Sequence, residues 1–318
     1  MKKNPHILAI VLFPMFLTKL IAKKNKVGGQ AIIEGVMMRS KQKISWAVRK
    51  PNGEIAIERF PFISLSKRHK FLALPIFRGA INLYESLKLG YKALSRSAEL
   101  ALDEAKPKTV KNSSKNKFST VVSLMVALAI SLGLFMYVPM QIAQFPFKDS
   151  PVLFNVFAGI IRISLFVVYI VLISFWKEIR RIFEYHGAEH KAIFAYEDDK
   201  ELTLDNMRPY TTLHPRCGTS FLVLVALICI FLFSIIDTCF TMIFGPYPNV
   251  FIRFFVHITL IPIVGGTSYE ILRLSDKYQK KPFVKFFILP GLWLQKITTK
   301  EPTDDQLQIA ASALKASL

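Results

Sequence analysis

Four long apolar runs decide what this chain can fold into. They cover, approximately, residues 119–144, 152–176, 219–244 and 250–269. A helix needs about 20 apolar residues to cross the hydrocarbon core of a bilayer, and each run is long enough. Hydrocarbon offers no partners to backbone N–H and C=O groups, so a spanning segment must satisfy its own hydrogen bonds, as a helix does. The sequence therefore predicts a polytopic α-helical membrane protein with about four transmembrane helices.

Charge is distributed unevenly among the segments that join these runs. The connections at 145–151 and 245–249 are short and contain one lysine, Lys148, whereas the other aqueous segments are rich in Lys and Arg. Because basic segments remain on the cytosolic side, both termini and the 177–216 loop are expected in the cytosol. The formal net charge of +20 makes anionic lipid headgroups the expected partner. RNA or ribosome contact has weaker support, since no nucleic-acid-binding motif is recognisable.

The chain before the first run divides into two parts. Residues 1–25 hold an apolar stretch too short to span, and we expect an interfacial extension there. Residues 26–117 predict a basic cytosolic region whose first part, residues 26–66, is a small β-rich unit that contains a hairpin. Apolar and polar residues alternate over 44–49 and again over 54–60, and a turn sequence at 51–53 separates the two stretches. An amphipathic helix lying on the membrane or on the helix bundle is expected to follow.

Residues 118–282 form the expected four-span membrane domain, which includes the 177–216 loop. The remaining residues, 283–318, combine a short apolar segment with a C-terminal helix. The apolar segment is too short to cross, so an interfacial or re-entrant position is expected. Asp304 and Asp305 fall in the first turn of the C-terminal helix, where carboxylates are favoured.

Polar side chains inside the apolar runs are candidates for a functional site by default. Arg162 lies in the second run, Asp237 in the third and His257 in the fourth. A structural role is nearly as well supported for all of them. Asp237 would then pair with Arg162 or Arg253, and His257 would be a hydrogen-bonded interior histidine.

The sequence His186-Gly187-Ala188-Glu189-His190 follows the second run and is the strongest indication of chemistry in the chain. Two histidines four positions apart on a helix project from the same face and can hold one divalent ion. Glu189 can activate a water molecule on that ion, because His-x-x-Glu-His is the inverted zinc-peptidase motif. The segment predicts a metal site, with zinc the favoured ion and Glu189 the candidate catalytic residue.

Further side chains of the ligand type lie at the same level of the predicted membrane. His214 and Cys217 come just before the third run, and Glu270 follows the fourth. Neutral imidazole, thiolate and carboxylate groups all bind zinc. The candidate ligands are therefore His186, His190, His214, Cys217 and Glu270. The alternative is that the histidines hydrogen-bond helix ends and that Glu189 pairs with a nearby Lys or Arg.

The number of protein ligands separates two kinds of site. If both motif histidines, His214 and Cys217 all bind, the coordination shell is full and the ion is structural. If only three protein groups bind, a water molecule takes the fourth position and Glu189 can accept its proton. The sequence is compatible with both arrangements.

Several segments resemble the YqhQ-like family of bacterial membrane proteins. They are Gly28–Arg39, Tyr185–Lys191, Leu213–Ser220 and Leu289–Pro302. The family is described as predicted metal-dependent enzymes of unknown reaction. The resemblance thus implies a multi-pass protein of the bacterial cytoplasmic (inner) membrane with a metal site. Glu34 and Arg39 flank Gly35 in the first segment and are further candidates, either to close over the metal or to shape a turn.

Two functions from different classes fit these features. The first is a membrane-embedded, zinc-dependent hydrolase acting at the cytosolic face on a substrate from the bilayer or its surface. The second is a non-enzymatic scaffold, assembly or insertion factor with a structural zinc and a basic surface for a partner. A transporter has less support, because no inverted repeat or broken pair of spans is detectable. Four spans make a thin bundle, so protein partners or a homo-oligomer are compatible with either function.

Overall fold

The computed structural model describes residues 27–69, 71–102, 113–147, 149–215, 217–277 and 282–318. The interfacial extension expected over residues 1–25 lies outside the described residues.

The N-terminal part folds as a four-stranded antiparallel sheet in the order β1-β2-β3-β4. The strands are β1 Gly28–Ile32, β2 Gly35–Arg39, β3 Lys43–Arg49 and β4 Ile55–Pro61. The predicted hairpin is confirmed as β3 and β4, which pair in register from Lys43 opposite Pro61 to Arg49 opposite Ile55. Gly53 lies in the connecting turn with a φ of 84°, a conformation that favours glycine.

Helices make up most of the rest of the described chain. They are α1 Leu65–Arg68, α2 Phe77–Leu102, α3 Ser113–Leu132, α4 Val138–Phe147, α5 Pro151–Ile173, α6 Lys177–Glu197, α7 Leu204–Met207, α8 Gly218–Phe244, α9 Val250–Lys277, α10 Pro282–Thr298 and α11 Asp304–Ser317. A π-helical segment, Gly133–Tyr137, joins α3 to α4.

Within the described residues, four helical stretches are long and apolar enough to cross a membrane. They are Val121–Phe147, Pro151–Ile173, Val225–Phe244 and Val250–Ile271. At most 28% of the residues in the apolar window of any of them are buried inside the protein, so most of their side chains face outward. Outward-facing apolar side chains are suited to lipid. The predicted polytopic α-helical fold is confirmed, and each stretch overlaps one predicted run.

Helices cover both faces of the sheet. On one face, Met37 and Trp46 share a buried cluster with Ala93 of α2. On the opposite face, Val36 shares a larger cluster with Ala188 of α6 and Leu314 of α11. The strand β2 is therefore buried on both sides. The helix α6, which carries the His-x-x-Glu-His motif, therefore packs against both the sheet and α11 on this face.

The C-terminal helix α11 begins with a capping box. Thr303 is its N-cap, and the side chain of Gln306 accepts a hydrogen bond from the Thr303 backbone N–H at 2.9 Å. Asp304 and Asp305 lie in the first turn, as expected from the helix dipole. The short apolar segment before it belongs to α10, which contains Pro290 and packs along α8.

A buried polar network joins three of the membrane helices. The carboxylate of Asp237 in α8 accepts hydrogen bonds from Asn155 of α5 at 2.7 Å and from Arg253 and His257 of α9 at 2.8 Å. Arg162 donates instead to the backbone carbonyl of Phe135 at 2.8 Å. Of the two expected ion-pair partners of Asp237, the structure selects Arg253.

Candidate metal centre

The helix α6 presents both motif histidines to the same buried region. Its side chains from Gly187 to Ile193 are all buried, and His190 is only 1% exposed. Gly187 permits this close packing, since a Cβ atom at that position would lie 2.1 Å from the backbone oxygen of Lys300. Lys300 also donates its backbone N–H to the carbonyl of Phe183 at 2.9 Å. The connection between α10 and α11 is thereby held directly against α6.

Three ligand-type side chains converge beside α6. The candidate ligand atoms of His186, His190 and Cys217 all lie within 4.8 Å of one another. Cys217 comes from the connection between α7 and α8, and its Sγ atom is 3.1 Å from Nε2 of His186. The two histidine rings meet edge to face, with their centroids 4.4 Å apart. Side chains separated by 31 positions in the sequence thus form one compact nitrogen and sulfur cluster.

Backbone carbonyl groups fix the tautomer of both histidines. Nδ1 of His186 is 2.8 Å from the carbonyl oxygen of Thr298, and Nδ1 of His190 is hydrogen-bonded to that of Thr212. A carbonyl oxygen only accepts, so each Nδ1 must carry the proton and donate it. In the neutral ring, each Nε2 then carries a lone pair, and that of His186 faces Cys217. Hydrogen bonding of the non-ligating nitrogen is the usual arrangement around metal-bound histidines.

The electrostatics of His190 favour the form that binds a metal. Burial lowers the pKa of its imidazole, because the charged form loses its hydration. Its interaction with Cys217 opposes this shift. The buried Nε2 atom makes no hydrogen bond of standard geometry among the described residues, and a metal ion shared with Cys217 would satisfy it.

The carboxylate of Glu189 lies against strand β1 and within range of the charges of His186 and Cys217. The residue is 5% exposed, and its carboxylate accepts a hydrogen bond from the backbone N–H of Gly29. Burial raises the pKa of this carboxyl to about 8, with the Cys217 sulfur acting in the same direction and His186 opposing it. Its Oε2 atom has no hydrogen-bond partner among the described residues. The expected alternative, an ion pair between Glu189 and a Lys or Arg, is not found in the described structure.

His214 lies next to the cluster but is not one of the three converging groups. Its ring centroid is 5.5 Å from that of His190, and its Nε2 atom is 3.7 Å from the carboxylate of Glu197. Gln295 of α10 holds the backbone of His214 through two hydrogen bonds, of 2.7 and 2.8 Å. His214 therefore remains a predicted fourth ligand, placed at the edge of the site.

Glu270, the remaining predicted ligand, interacts with a different part of the protein. Its carboxylate accepts hydrogen bonds from both Nε and Nη2 of Arg78, which lies at the start of α2. This pair joins α2 to the membrane helix α9. Glu270 is not part of the converging group of His186, His190 and Cys217.

The two candidates that flank Gly35 lie at opposite ends of β2. Glu34 has a positive φ of 51°, and its carboxylate accepts hydrogen bonds from Arg181 and Tyr185 of α6. It therefore ties the β1–β2 turn to α6, which corresponds to the turn-shaping role expected for it. Arg39 places its guanidinium 4.3 Å from the ring centroid of Phe62 and lines a neighbouring cavity.

Sequence reasoning missed the groups that position the ligands. Thr212 and Thr298 act through their backbone oxygens, which carry no signal in the sequence. Gln295 and Gly29 were also missed, although Gly29, Thr298 and Gln295 fall within segments that resemble the YqhQ-like family. That resemblance was the only available signal for them.

Comparison with known proteins agrees with the extent of this resemblance. The family model described as "Protein of unknown function (DUF1385)" matches residues 74–318. The "Uncharacterized protein YqhQ" of Bacillus subtilis (strain 168) is 33% identical over 310 residues, covering 93% of this chain and 94% of that protein. No solved structure matches the chain. The motif, the converging side chains and α9 to α11 all lie inside the matched region, and the chain belongs to the DUF1385 family.

Proposed function

We propose that this protein is a membrane-embedded, metal-dependent hydrolase that acts at the cytosolic face of the bacterial inner membrane. One observation carries the proposal. His186, His190 and Cys217 converge within 4.8 Å, and the buried carboxylate of Glu189 is adjacent to them on the same helix. Three protein ligands beside an acid–base group are typical of a catalytic metal site.

The donor set fits zinc. Two neutral imidazoles and a thiolate are ligands that zinc prefers, and hard cations such as Mg²⁺ are disfavoured by the sulfur. Tetrahedral zinc with bonds of about 2.0–2.3 Å places its ligand atoms roughly 3.5 Å apart. The 3.1 Å separation between His186 Nε2 and Cys217 Sγ is close to that value. Only small side-chain movements are needed to admit the ion.

The residues of the site would have distinct roles in hydrolysis. A zinc ion held by His186, His190 and Cys217 would supply Lewis acidity toward a carbonyl or phosphoryl oxygen and would acidify a water molecule. With a pKa of about 8, the Glu189 carboxyl is mostly protonated at neutral pH in the metal-free protein, and the charge of a bound cation would lower that pKa. Glu189 would then accept the proton from the attacking water and later return it to the leaving group. The backbone N–H of Gly29 holds the Glu189 carboxylate in place for both steps.

The distribution of charge supports the proposed orientation. The metal-site segment and both ends of the chain lie on the basic side of the predicted spans, so the positive-inside rule places them in the cytosol. The same basic surface would bind anionic lipid headgroups. A hydrolase there would take its substrate from the inner leaflet or from the membrane surface.

A structural zinc site in a non-enzymatic assembly or insertion factor is the second candidate. The position of His214 favours it, because a ring 5.5 Å from His190 needs only a modest movement to provide a fourth ligand. A zinc ion with four protein ligands would then hold the connection that precedes α8 against α6. The role of Glu189 distinguishes the two functions, since a structural site needs no buried carboxylate.

Metal analysis of the detergent-purified protein tests the proposal. We expect one zinc ion per chain, and X-ray absorption should show two nitrogens, one sulfur and one light oxygen. Four protein ligands would support the structural factor instead. Absence of any metal from protein purified without chelator would refute both functions.

Two variants then separate catalysis from metal binding. Glu189→Gln should keep the zinc and lose hydrolysis of model esters or phosphate esters, whereas His190→Ala should lose the zinc. Glu178→Gln is the matched control, because Glu178 is an exposed glutamate in the first turn of the same helix. Loss of zinc in Glu189→Gln, or equal turnover in all variants, would contradict the proton-transfer role.

A further inference from the structure

A second feature of the molecule, a large cavity beside the metal centre, has no role in the proposed coordination chemistry. It has a volume of about 880 Å³ and lies between the sheet, α2 and the ends of α8 and α9. Cavities of roughly 300–1,000 Å³ accommodate ligands of the size of a drug or a cofactor. The cavity is therefore large enough for a single small amphiphile.

The wall of this cavity is divided between apolar and basic groups. Most of its surface is apolar, contributed by side chains such as Met37, Leu89 and Val225. Among the described lining residues, the charged ones are all basic: Arg39, Lys41 and Lys67. An apolar chamber with basic groups and no carboxylate in this lining matches a ligand with a hydrocarbon part and an anionic head.

The position of the cavity relative to the spans points to the bilayer as the source of that ligand. Val225 lies within α8, and Gly265 and Tyr269 lie in the last turns of the span Val250–Ile271. The chamber thus lies beside two membrane helices, at the end of the bundle where α9 leaves the hydrocarbon region. An acyl or prenyl chain can reach it without crossing water.

Arg39 is the group best placed to bind the anionic head. It is partly buried, and its guanidinium stacks on Phe62 at 4.3 Å. The carboxylate that faces it, Glu85, already accepts hydrogen bonds from Ser64 and Leu65. Burial lowers the pKa of Arg39, which reflects the cost of holding the cation in this position. A phosphate or carboxylate would offset that cost through paired, charge-assisted hydrogen bonds.

The cavity and the metal centre share a wall. Gly29 lines the cavity, and a Cβ atom on it would lie 2.7 Å from Oε1 of Glu189. Because Gly29 has no side chain, only the backbone of β1 separates the cavity from the Glu189 carboxylate at this point. A ligand bound by Arg39 would therefore lie close to Glu189.

We propose that this cavity binds one bilayer amphiphile, with its anionic head, a phosphate or a carboxylate, on Arg39 and its hydrocarbon chain among the apolar residues of α2, α8 and α9. This molecule would be the substrate class of the metal centre, an assignment that rests on the proposed hydrolase function. The binding site itself does not depend on the metal.

Photocrosslinking of the full chain in phosphatidylcholine nanodiscs tests this proposal. The probe is a phosphatidic acid with a diazirine in its acyl chain, and adducts are mapped by mass spectrometry. We expect adducts on cavity-lining segments of α2, α8 or α9. Arg39→Gln should lower labelling by about tenfold, the effect of losing one charge-assisted pair. Arg59→Gln, a matched change at an exposed arginine of β4 outside the cavity lining, should leave labelling unchanged.

A second pair of variants tests the chamber without changing charge. A Cβ at Gly265 would have Leu83 as its nearest neighbour, at an ordinary distance of 3.5 Å, so a side chain is tolerated at this position and Gly265→Ala should fold normally. Gly265→Leu should fill the chamber and reduce labelling severalfold. Equal labelling of Arg39→Gln and Arg59→Gln, or adducts confined to the outward faces of the spans, would overturn the proposal.

Competition identifies the source of the anion. Unlabelled phosphatidic acid should displace the probe, whereas inorganic phosphate should not; displacement by inorganic phosphate would show a soluble-anion site and refute the amphiphile. Labelling should persist in His190→Ala, because binding of the amphiphile requires no metal. If the protein holds no zinc and labelling still maps to the cavity, the hydrolase fails and the binding site stands. If labelling fails while Glu189-dependent turnover persists, the amphiphile-binding site is refuted and the hydrolase proposal stands.

Discussion

Replacing Gly187 by alanine should damage the metal centre even though residue 187 is not itself a candidate ligand. The added methyl group would lie 2.1 Å from the Lys300 oxygen, and its next contact, with the Thr212 side chain, would be 3.1 Å. An ordinary carbon–oxygen contact is roughly 3.3 Å, so the two backbones must separate by about 1 Å. Thr298, whose carbonyl orients His186, is only two residues from Lys300 and would move with it.

The change in the free energy of unfolding caused by Gly187→Ala follows from two opposing effects. Alanine is favoured over glycine in a helix interior by about 1 kcal/mol. Overpacking a tight contact costs typically 1–3 kcal/mol, and a clash with backbone lies at the upper end. We expect a net destabilisation of about 1–2 kcal/mol in Gly187→Ala. Displacing the carbonyl that holds His186 should also weaken zinc binding by about 10- to 100-fold, as is usual for partners of metal-bound histidines.

The assay combines thermal unfolding in detergent, followed by circular dichroism, with zinc affinity from chelator competition. Gly265→Ala is the control, because its methyl group meets only an ordinary contact at 3.5 Å and should be neutral or slightly stabilising. If Gly187→Ala matched Gly265→Ala in both stability and zinc affinity, the close approach of the α10–α11 connection to α6 would be refuted.

Three further changes probe the surrounding fold. Asp237→Asn leaves the buried cation of Arg253 without its counter-charge and should destabilise the protein by about 3 kcal/mol. Thermal unfolding measures this loss, and an unchanged midpoint would exclude a structural role for the network. Hydrogen bonds from Arg96 hold the pKa of Glu58 below its usual range, so their stabilisation is complete above that range and is lost as the pH falls through the lowered pKa. Arg96→Gln should therefore lower the melting temperature at pH 7, and its effect should shrink as the pH falls through the lowered pKa. A pH-independent difference would contradict this linkage. Glu34→Gln weakens the contacts of the β1–β2 turn with α6 and should speed amide exchange in β1 while zinc content stays constant; loss of zinc would assign Glu34 to the metal centre instead.

The membrane fold was predictable because hydropathy and loop charge are local properties of the sequence. The predicted runs overlap the spans of the structure, and the hairpin of β3 and β4 followed from alternation and a turn at Gly53. A small β-rich unit was predicted over residues 26–66, but the individual strands β1 and β2 within it were not. Helices cover both faces of β2, so its buried residues, such as Val36 and Met37, show no alternation with polar ones.

The candidate site was predictable only in part. Helical periodicity placed His186 and His190 together, and their closeness in the structure agrees with that expectation. The pairing of Glu270 with Arg78 spans 192 positions and depends on how α2 packs against α9, which no local pattern records. The carbonyl oxygens that orient the two imidazoles could not be predicted either, because every residue has a backbone carbonyl.

The two carbonyls that orient the histidines also determine when during biosynthesis the centre can form. His190 depends on Thr212 and His186 on Thr298, which is 112 positions further along the chain. A chain still emerging from the ribosome has both histidines long before it has the second carbonyl. The imidazole of His186 is not held in its tautomer until α10 has been synthesised and has docked on α6. Loading of the proposed zinc ion would therefore require that α10 has docked, and truncated chains ending before α10 would lack the carbonyl that orients His186.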